Sequence, residues 1–227
     1  MTKSGEKGLW VISGRVFYKP DIYKPFAIAI YSGNSKPASV DDFMNDFIVE
    51  INNLTHRGVT ISEKRFNVRI HCFLCDTPAR AFLKCTEGHT GFYSCERCEV
   101  RGLKLNNVTQ FPLTNCPERT DESFRRCSQR RHHKGLSPIL KIKPSLNMIF
   151  IFVLEFMHLF CEGMMKRLLM FWFIVGGRNN VGQQVKKEVS RRIRKLNGLL
   201  RSANRPLAQI CRRLHELDKI DPPNPRK

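Results

Sequence analysis

The chain has 227 residues, with 39 Lys and Arg against 20 Asp and Glu, for a formal net charge of +19. Its hydrophobic content of 41% excludes wholesale disorder, because a disordered chain lacks the apolar groups that offset ordering entropy. The length allows one full domain or two small ones, and the charge predicts an anionic partner, either nucleic acid or an acidic membrane surface.

The excess is uneven. Residues 119–143 hold 8 basic and 2 acidic side chains, and residues 176–227 hold 14 and 4. Two separate segments with so few compensating acids favour nucleic-acid contact over a merely solvated face. The N-terminus, Met1-Thr2-Lys3-Ser4-Gly5, lacks the apolar run of a secretory signal, so a nuclear or otherwise intracellular location is expected. The nine cysteines are then expected as reduced thiols or metal ligands.

Along the chain, Phe26 to Tyr31 has the profile of a buried strand, bounded by Pro25 and by Ser32-Gly33-Asn34. Ser39-x-x-Asp42 resembles a capping box and opens a helix with Phe43, Phe47, Ile51 and Leu54 inside, ended by His56-Arg57-Gly58. Residues 65–75 alternate and then become continuously apolar, which predicts a strand entering the core and terminating at Asp76. Thr77-Pro78 starts the next helix, with Thr77 as cap and Pro at the first helical position. Residues 85–98 are turn-rich and cysteine-rich, and 106–138 read as an irregular insert.

Residues 146–175 are very apolar, but Glu155, His158, Glu162, Lys166 and Arg167 interrupt them. A membrane span needs about 20 predominantly apolar residues. The block is therefore expected to form one or two buried helices and no membrane span. Gly176-Gly177 breaks it, residues 183–201 give a basic amphipathic helix, and a short helix at about 206–218 precedes a proline-rich tail. The expected organisation is an α/β region over 1–105, an irregular basic insert over 106–145, and a helical region with a basic C-terminal segment over 146–227.

Two features could carry chemistry. Asp76, at the carboxyl end of a core strand, is where a hard divalent cation could be held, although capping the helix behind it is an equal reading. Cys95-x2-Cys98 has the spacing that lets two thiolates face one tetrahedral zinc. The remaining ligands would come from Cys85, His89, Cys116, Cys127 and one of His132 and His133, with His158 beyond. Reduced cysteines in a turn are the alternative. His158, three residues after Glu155 on an apolar helix, is expected to be a satisfied core histidine. There is no Gly-rich phosphate loop, His-Glu-x-x-His or Gly-x-Ser-x-Gly, so nucleotide-binding and hydrolase readings gain no support.

The residues also form an ordered string. It runs through Pro25-Phe26, Tyr31-Ser32-Gly33, Cys75-Asp76-Thr77-Pro78-Ala79-Arg80-Ala81-Phe82, Gly88-His89 and Tyr93-x-Cys95-x2-Cys98. It continues through Arg119-Thr120-Asp121-Glu122-Ser123-Phe124-Arg125, His132-His133-Lys134-Gly135, Met157-His158-Leu159 and Leu214-His215-Glu216-Leu217-Asp218. This string resembles the transposase-derived proteins of insect and other invertebrate genomes, which are similar to cut-and-paste DDE transposases of the CACTA and Transib type. The resemblance implies a partial ribonuclease H-like core in which an acidic triad holds two Mg2+ ions for DNA strand cleavage and transfer. Asp76 matches the second acid, and Cys95 and Cys98 match half of a structural zinc site. The first acid, the last acid and the family's histidine pair are not matched here. The expectation is therefore an internal fragment that binds DNA and lacks activity alone. A non-catalytic zinc-stabilised nucleic-acid-binding module is the alternative, and a chain with no stable fold of its own is a third. The oligomeric state is not indicated.

Overall fold

The computed structural model describes residues 8–18, 23–113, 115–173 and 180–202. Strand β1 (Gly8–Gly14) pairs antiparallel with β2 (Phe26–Gly33), setting Trp10 opposite Tyr31 and Val11 opposite Ile30. Successive side chains on a strand point to opposite faces, so this ribbon has two apolar faces. Trp10 and Tyr31 turn to helix α1 (Val40–Arg57), where their rings meet Phe43 edge-on at 6.1 and 6.4 Å. Val11 and Ile30 lie on the other face, and Ile30 is 63% exposed. The strand expected to be buried at 26–31 is thus exposed, because only one face of the ribbon meets a helix.

Helix α1 starts and stops as its ends dictate. The Ser39 hydroxyl accepts the Asp42 N–H at 3.1 Å, and the Gly58 N–H donates to the Leu54 carbonyl at 2.8 Å. Gly58 has φ +71°, where an added Cβ would lie 2.6 Å from the Phe66 carbonyl oxygen. The stripe facing the core centres on Met44 and Ile48, flanked by Phe43, Phe47 and Ile51. Leu54, expected inside, is 40% exposed because the stripe drifts off the core by the last turn.

Strands β3 (Val59–Ile61) and β4 (Lys64–Phe66) form a hairpin about Ser62 and Glu63, and β5 (Phe73–Leu74) follows after an unpaired stretch. The single strand expected over 65–75 is therefore two pieces in two different sheets. Helix α2 (Thr77–Lys84) follows β5 directly. The insert is more regular than expected. Strands β6 (Leu103–Leu105) and β7 (Val108–Gln110) close on Asn106 and Asn107, both left-handed at φ 49° and 62°. Helix α3 (Asp121–Arg125) carries a reciprocal capping box between Thr120 and Ser123. A 3-10 turn, Pro138–Lys141, places Ile139 and Ile142 in the core.

The first part of the apolar block is not helical. Asn147 Oδ1 accepts the N–H groups of Ile149 and Phe150, forming a turn, and strand β8 (Phe152–Val153) then pairs parallel to β5. Met148, Ile149 and Phe152 are buried with Leu83 and Phe124 in the core. Among the described residues the mixed α/β architecture has four two-stranded sheets, and in the first unit α1, α2 and α3 pack on one core.

The chain divides into two compact units, Met1–Leu154 and Glu155–Lys227, so the boundary falls inside the apolar block. The second unit begins with a wide π-helix, Phe156–Met165, which leads into α4 (Lys166–Phe173). Helix α5 (Gln183–Ser202) is held to the end of α4 by Lys186 Nζ, which donates to the Phe173 carbonyl at 2.6 Å. Among the described residues no helix is long and apolar enough to cross a membrane. The helix expected at 206–218 and the proline-rich tail lie outside the described residues.

Candidate metal centre

Helix α2 positions both features that the sequence singled out. Asp76 is its N-cap, the second of the two readings of that residue: the Oδ1 atom accepts the Ala79 N–H at 2.8 Å, one residue before the other expected cap, Thr77. Two residues beyond β5, Asp76 thus has a structural task that needs no metal. Asn caps as well as Asp does, whereas Ala cannot. Asp76→Asn is expected to leave the urea midpoint nearly unchanged, and Asp76→Ala to cost about 1 kcal/mol.

The Cys95–Cys98 turn is fixed by the two residues between the cysteines. Glu96 accepts from Arg80 Nε at 2.9 Å and from Lys84 Nζ at 3.2 Å, two cations one helical turn apart on α2. Lys84 is wholly buried, and its ammonium also lies over the rings of Phe124 and Phe152 at 5.4 and 5.7 Å. Burial pushes the Glu96 carboxyl up, but Lys84 and Arg80 more than reverse this, and it titrates below its ordinary range. Arg97 points the other way and donates to the Ile149 carbonyl and, at 2.8 Å, to the Phe152 carbonyl. With the Asn147 turn and the β5–β8 pairing, these bonds hold 146–154 in its non-helical path.

The two thiols converge, with Sγ atoms 3.4 Å apart. Thiolates on a tetrahedral zinc, each about 2.3 Å from the ion, lie about 3.8 Å from each other. In chemistry and spacing the pair fits one half of such a site. Burial pushes the Cys98 thiol up, and Cys95 adds to the effect. The neighbouring segment runs antiparallel beside the knuckle. Glu99 N–H donates to Pro117, Arg119 N–H donates to Arg97, and Cys98 bridges Glu118, so Cys116 lies diagonally from Cys98. Arg119 Nε donates to the Cys95 carbonyl at 2.9 Å.

The other candidate ligands are dispersed. Cys85 ends α2 in a left-handed conformation with its thiol 3.8 Å from the Phe82 carbonyl, and burial pushes that thiol up. His89 is exposed in the turn before the knuckle, and Cys127 closes α3 at φ 48°. His132 is fully buried with Nδ1 2.6 Å from the Tyr93 carbonyl, while half-buried His133 packs against Phe124 at 4.7 Å. Burial, and after it the charge of Arg119, pushes His132 down to about 4 and His133 down as well. Both imidazoles are neutral at physiological pH. Among the described residues no group of three or more His, Cys, Asp or Glu is arranged to hold a metal. The side chain of His158 lies outside the described residues.

Sequence reading missed the anchoring roles of Glu96 and Arg97. The available signal was a pair of opposite charges, Glu96 and Arg97, filling both positions inside the Cys-x2-Cys. Comparison with protein-family models, with curated proteins and with solved structures finds no match for this chain.

Proposed function

We propose that the chain is a transposase-derived DNA-binding protein whose knuckle is stabilised by zinc and which does not cleave DNA alone. The observation that carries the reading is the Cys95–Cys98 pair, held by Glu96 and Arg97 between the helix that Asp76 caps and strand β8. An acid just past a strand, a short helix and then a Cys-x2-Cys is the order in which the similar DDE enzymes present their second acid and zinc knuckle. The parallel pairing of β5 with β8 suits a ribonuclease H-like core. Zinc, when bound, would supply a cross-link between turns, and Cys95 and Cys98 are the residues that would hold it. In the related enzymes two Mg2+ ions serve the chemistry. Asp76 alone, with one oxygen engaged in a cap, cannot form that clamp.

Helix α5 supports the DNA-binding part of the reading. It carries Lys186, Lys187, Arg191, Arg192, Arg194, Lys195 and Arg201 against one acid, Glu188, over 20 residues. Glu188 is ion-paired with Arg191 and Arg192 at 2.8 Å, and both arginines remain largely exposed. A helix of this length spans about 30 Å, enough to follow a phosphate backbone over several contacts. Fluorescence anisotropy with duplex DNA across a salt series tests this. Affinity is expected to fall with log salt at a slope of about −3 or steeper, and Lys187→Glu with Lys195→Glu to flatten that slope by about 2. Salt-independent binding, or none, would refute the reading.

A further inference from the structure

We infer that Cys95 and Cys98 are a reversible modification site: in the metal-free turn they close to an intramolecular disulfide. The bond competes with zinc for the same two sulfurs, a competition that rests on the zinc reading above. The Sγ atoms already lie 3.4 Å apart, both thiols are free, and both residues are half-buried, within reach of a small oxidant. A disulfide places its sulfurs about 2.05 Å apart. About 1.4 Å therefore remains to close, a distance that side-chain rotation covers with the turn in place.

Spacing alone does not give this proximity. Cys72-x2-Cys75 has the same spacing, but its two intervening residues are strand β5, Phe73–Leu74. Residues three apart on a strand lie about 10 Å apart and point to opposite faces, so that pair does not bridge. Between Cys95 and Cys98 the chain bends instead. Arg80 and Lys84 hold Glu96, and the carbonyls of Ile149 and Phe152 hold Arg97. Cys116 is the rival partner, diagonal to Cys98 across the Cys98–Glu118 bridge. Diagonal neighbours stand about 7 Å apart, beyond the roughly 4 Å between Cβ atoms that a disulfide spans.

With hydrogen peroxide as oxidant, the reaction consumes one peroxide and releases two waters. The Cys95 sulfur accepts the Cys98 N–H at 3.5 Å, a contact that stabilises charge on it, so Cys95 attacks first. Its thiolate takes one peroxide oxygen, the O–O bond breaks, and the hydroxide released takes up the former thiol proton and leaves as water. The Cys98 sulfur then attacks the sulfenic acid at Cys95. The S–S bond forms, the S–O bond breaks, and the second water leaves with the Cys98 proton. Two sulfurs are oxidised, one peroxide is reduced, and neither sulfur is left as a thiolate to hold an ion.

The full chain, freed of metal, treated with hydrogen peroxide and then alkylated in denaturant, reads each cysteine by peptide mass. Cys95 and Cys98 are expected to lose labelling together, about tenfold faster than Cys72, Cys75 and Cys116, and to regain it with dithiothreitol. Cys98→Ser should leave Cys95 as a sulfenic acid that dimedone captures. Chain loaded with zinc beforehand should resist oxidation, and excess peroxide should release the ion to a chromogenic chelator. A Cys98–Cys116 link, equal oxidation of all these cysteines, or full labelling of Cys95 and Cys98 would overturn the modification site, whether or not zinc binds. Oxidation that bound zinc does not slow would overturn the competition. A disulfide formed in a chain that takes up no zinc would support the site and refute the zinc reading.

Discussion

Replacing Glu96 by Gln is expected to cost about 3–5 kcal/mol, the largest effect of any single substitution considered for this chain. Glu96 is the shared anion between two buried cations: Lys84 is 0% exposed and Arg80 3%. Gln preserves the shape and can still accept hydrogen bonds, but both charges would then sit in the core without a counter-ion. The rings of Phe124 and Phe152 return only part of that energy, since a cation over an aromatic face gains about 1–2 kcal/mol. The urea midpoint of Glu96→Gln measures the cost. A second substitution, Lys84→Met, should recover much of it, because an apolar side chain of similar length removes one stranded charge. A loss below about 1 kcal/mol in Glu96→Gln would show that the triad does not organise the knuckle.

The metal-free protein should also lose stability as pH falls from 6.5 toward 4. The unfolded chain binds a proton at His132 near 6.5, whereas the folded chain resists it until about 4. Between those values the unfolded state holds more protons, so stability declines with acidification, by up to about 3 kcal/mol for this residue. Above 6.5 the contribution is complete and does not change. His133 shifts in the same direction and adds to the slope in the same window. Glu96, whose carboxyl titrates below its ordinary range, acts only at lower pH, where its protonation would break the triad. Denaturant midpoints at pH 7.5, 6.5 and 5 in the presence of a chelator separate these ranges. A midpoint that is flat down to pH 5 would contradict a neutral, desolvated His132.

The helices that begin and end on strong local signals were legible in the sequence. Ser39 with Asp42, and Gly58 after the last turn, mark α1 to the residue, because caps are local hydrogen bonds made by particular side chains. Other features were legible but unread: Asn106-Asn107 between Leu103-Lys104-Leu105 and Val108-Thr109-Gln110 is a two-residue hairpin signal, and Thr120-x-x-Ser123 is a capping box with Ser as the return partner. The β3–β4 turn was not legible, since Ser62 and Glu63 have no preference for the left-handed conformations they adopt. Residues 146–154 misled for a tertiary reason. Their apolar run suits a buried helix, but Asp121 takes the Met148 N–H and Arg97 takes two of the carbonyls, and these partners lie 27 to 55 residues away.

The candidate site divides in the same way. The spacing of Cys95 and Cys98 was sufficient to bring their thiols together, because two intervening residues form a single turn. Asp76 could be placed at its strand end, and its cap on the helix behind it was one of the two readings open there. His132 meets the Tyr93 carbonyl through Nδ1, whereas neither ring nitrogen of His133 has a partner. No pattern of adjacent histidines reveals that contact.

Glu96 and Arg97, adjacent in sequence, pull in opposite directions, one to the side chains of α2 and the other to the backbone around β8. The knuckle is therefore a strut. Force applied at its two sulfur atoms passes into a helix and a strand at once, and those elements meet in the core at Phe152. An ion held by the turn would stiffen the connection between α2 and β8, and its loss would be felt at both.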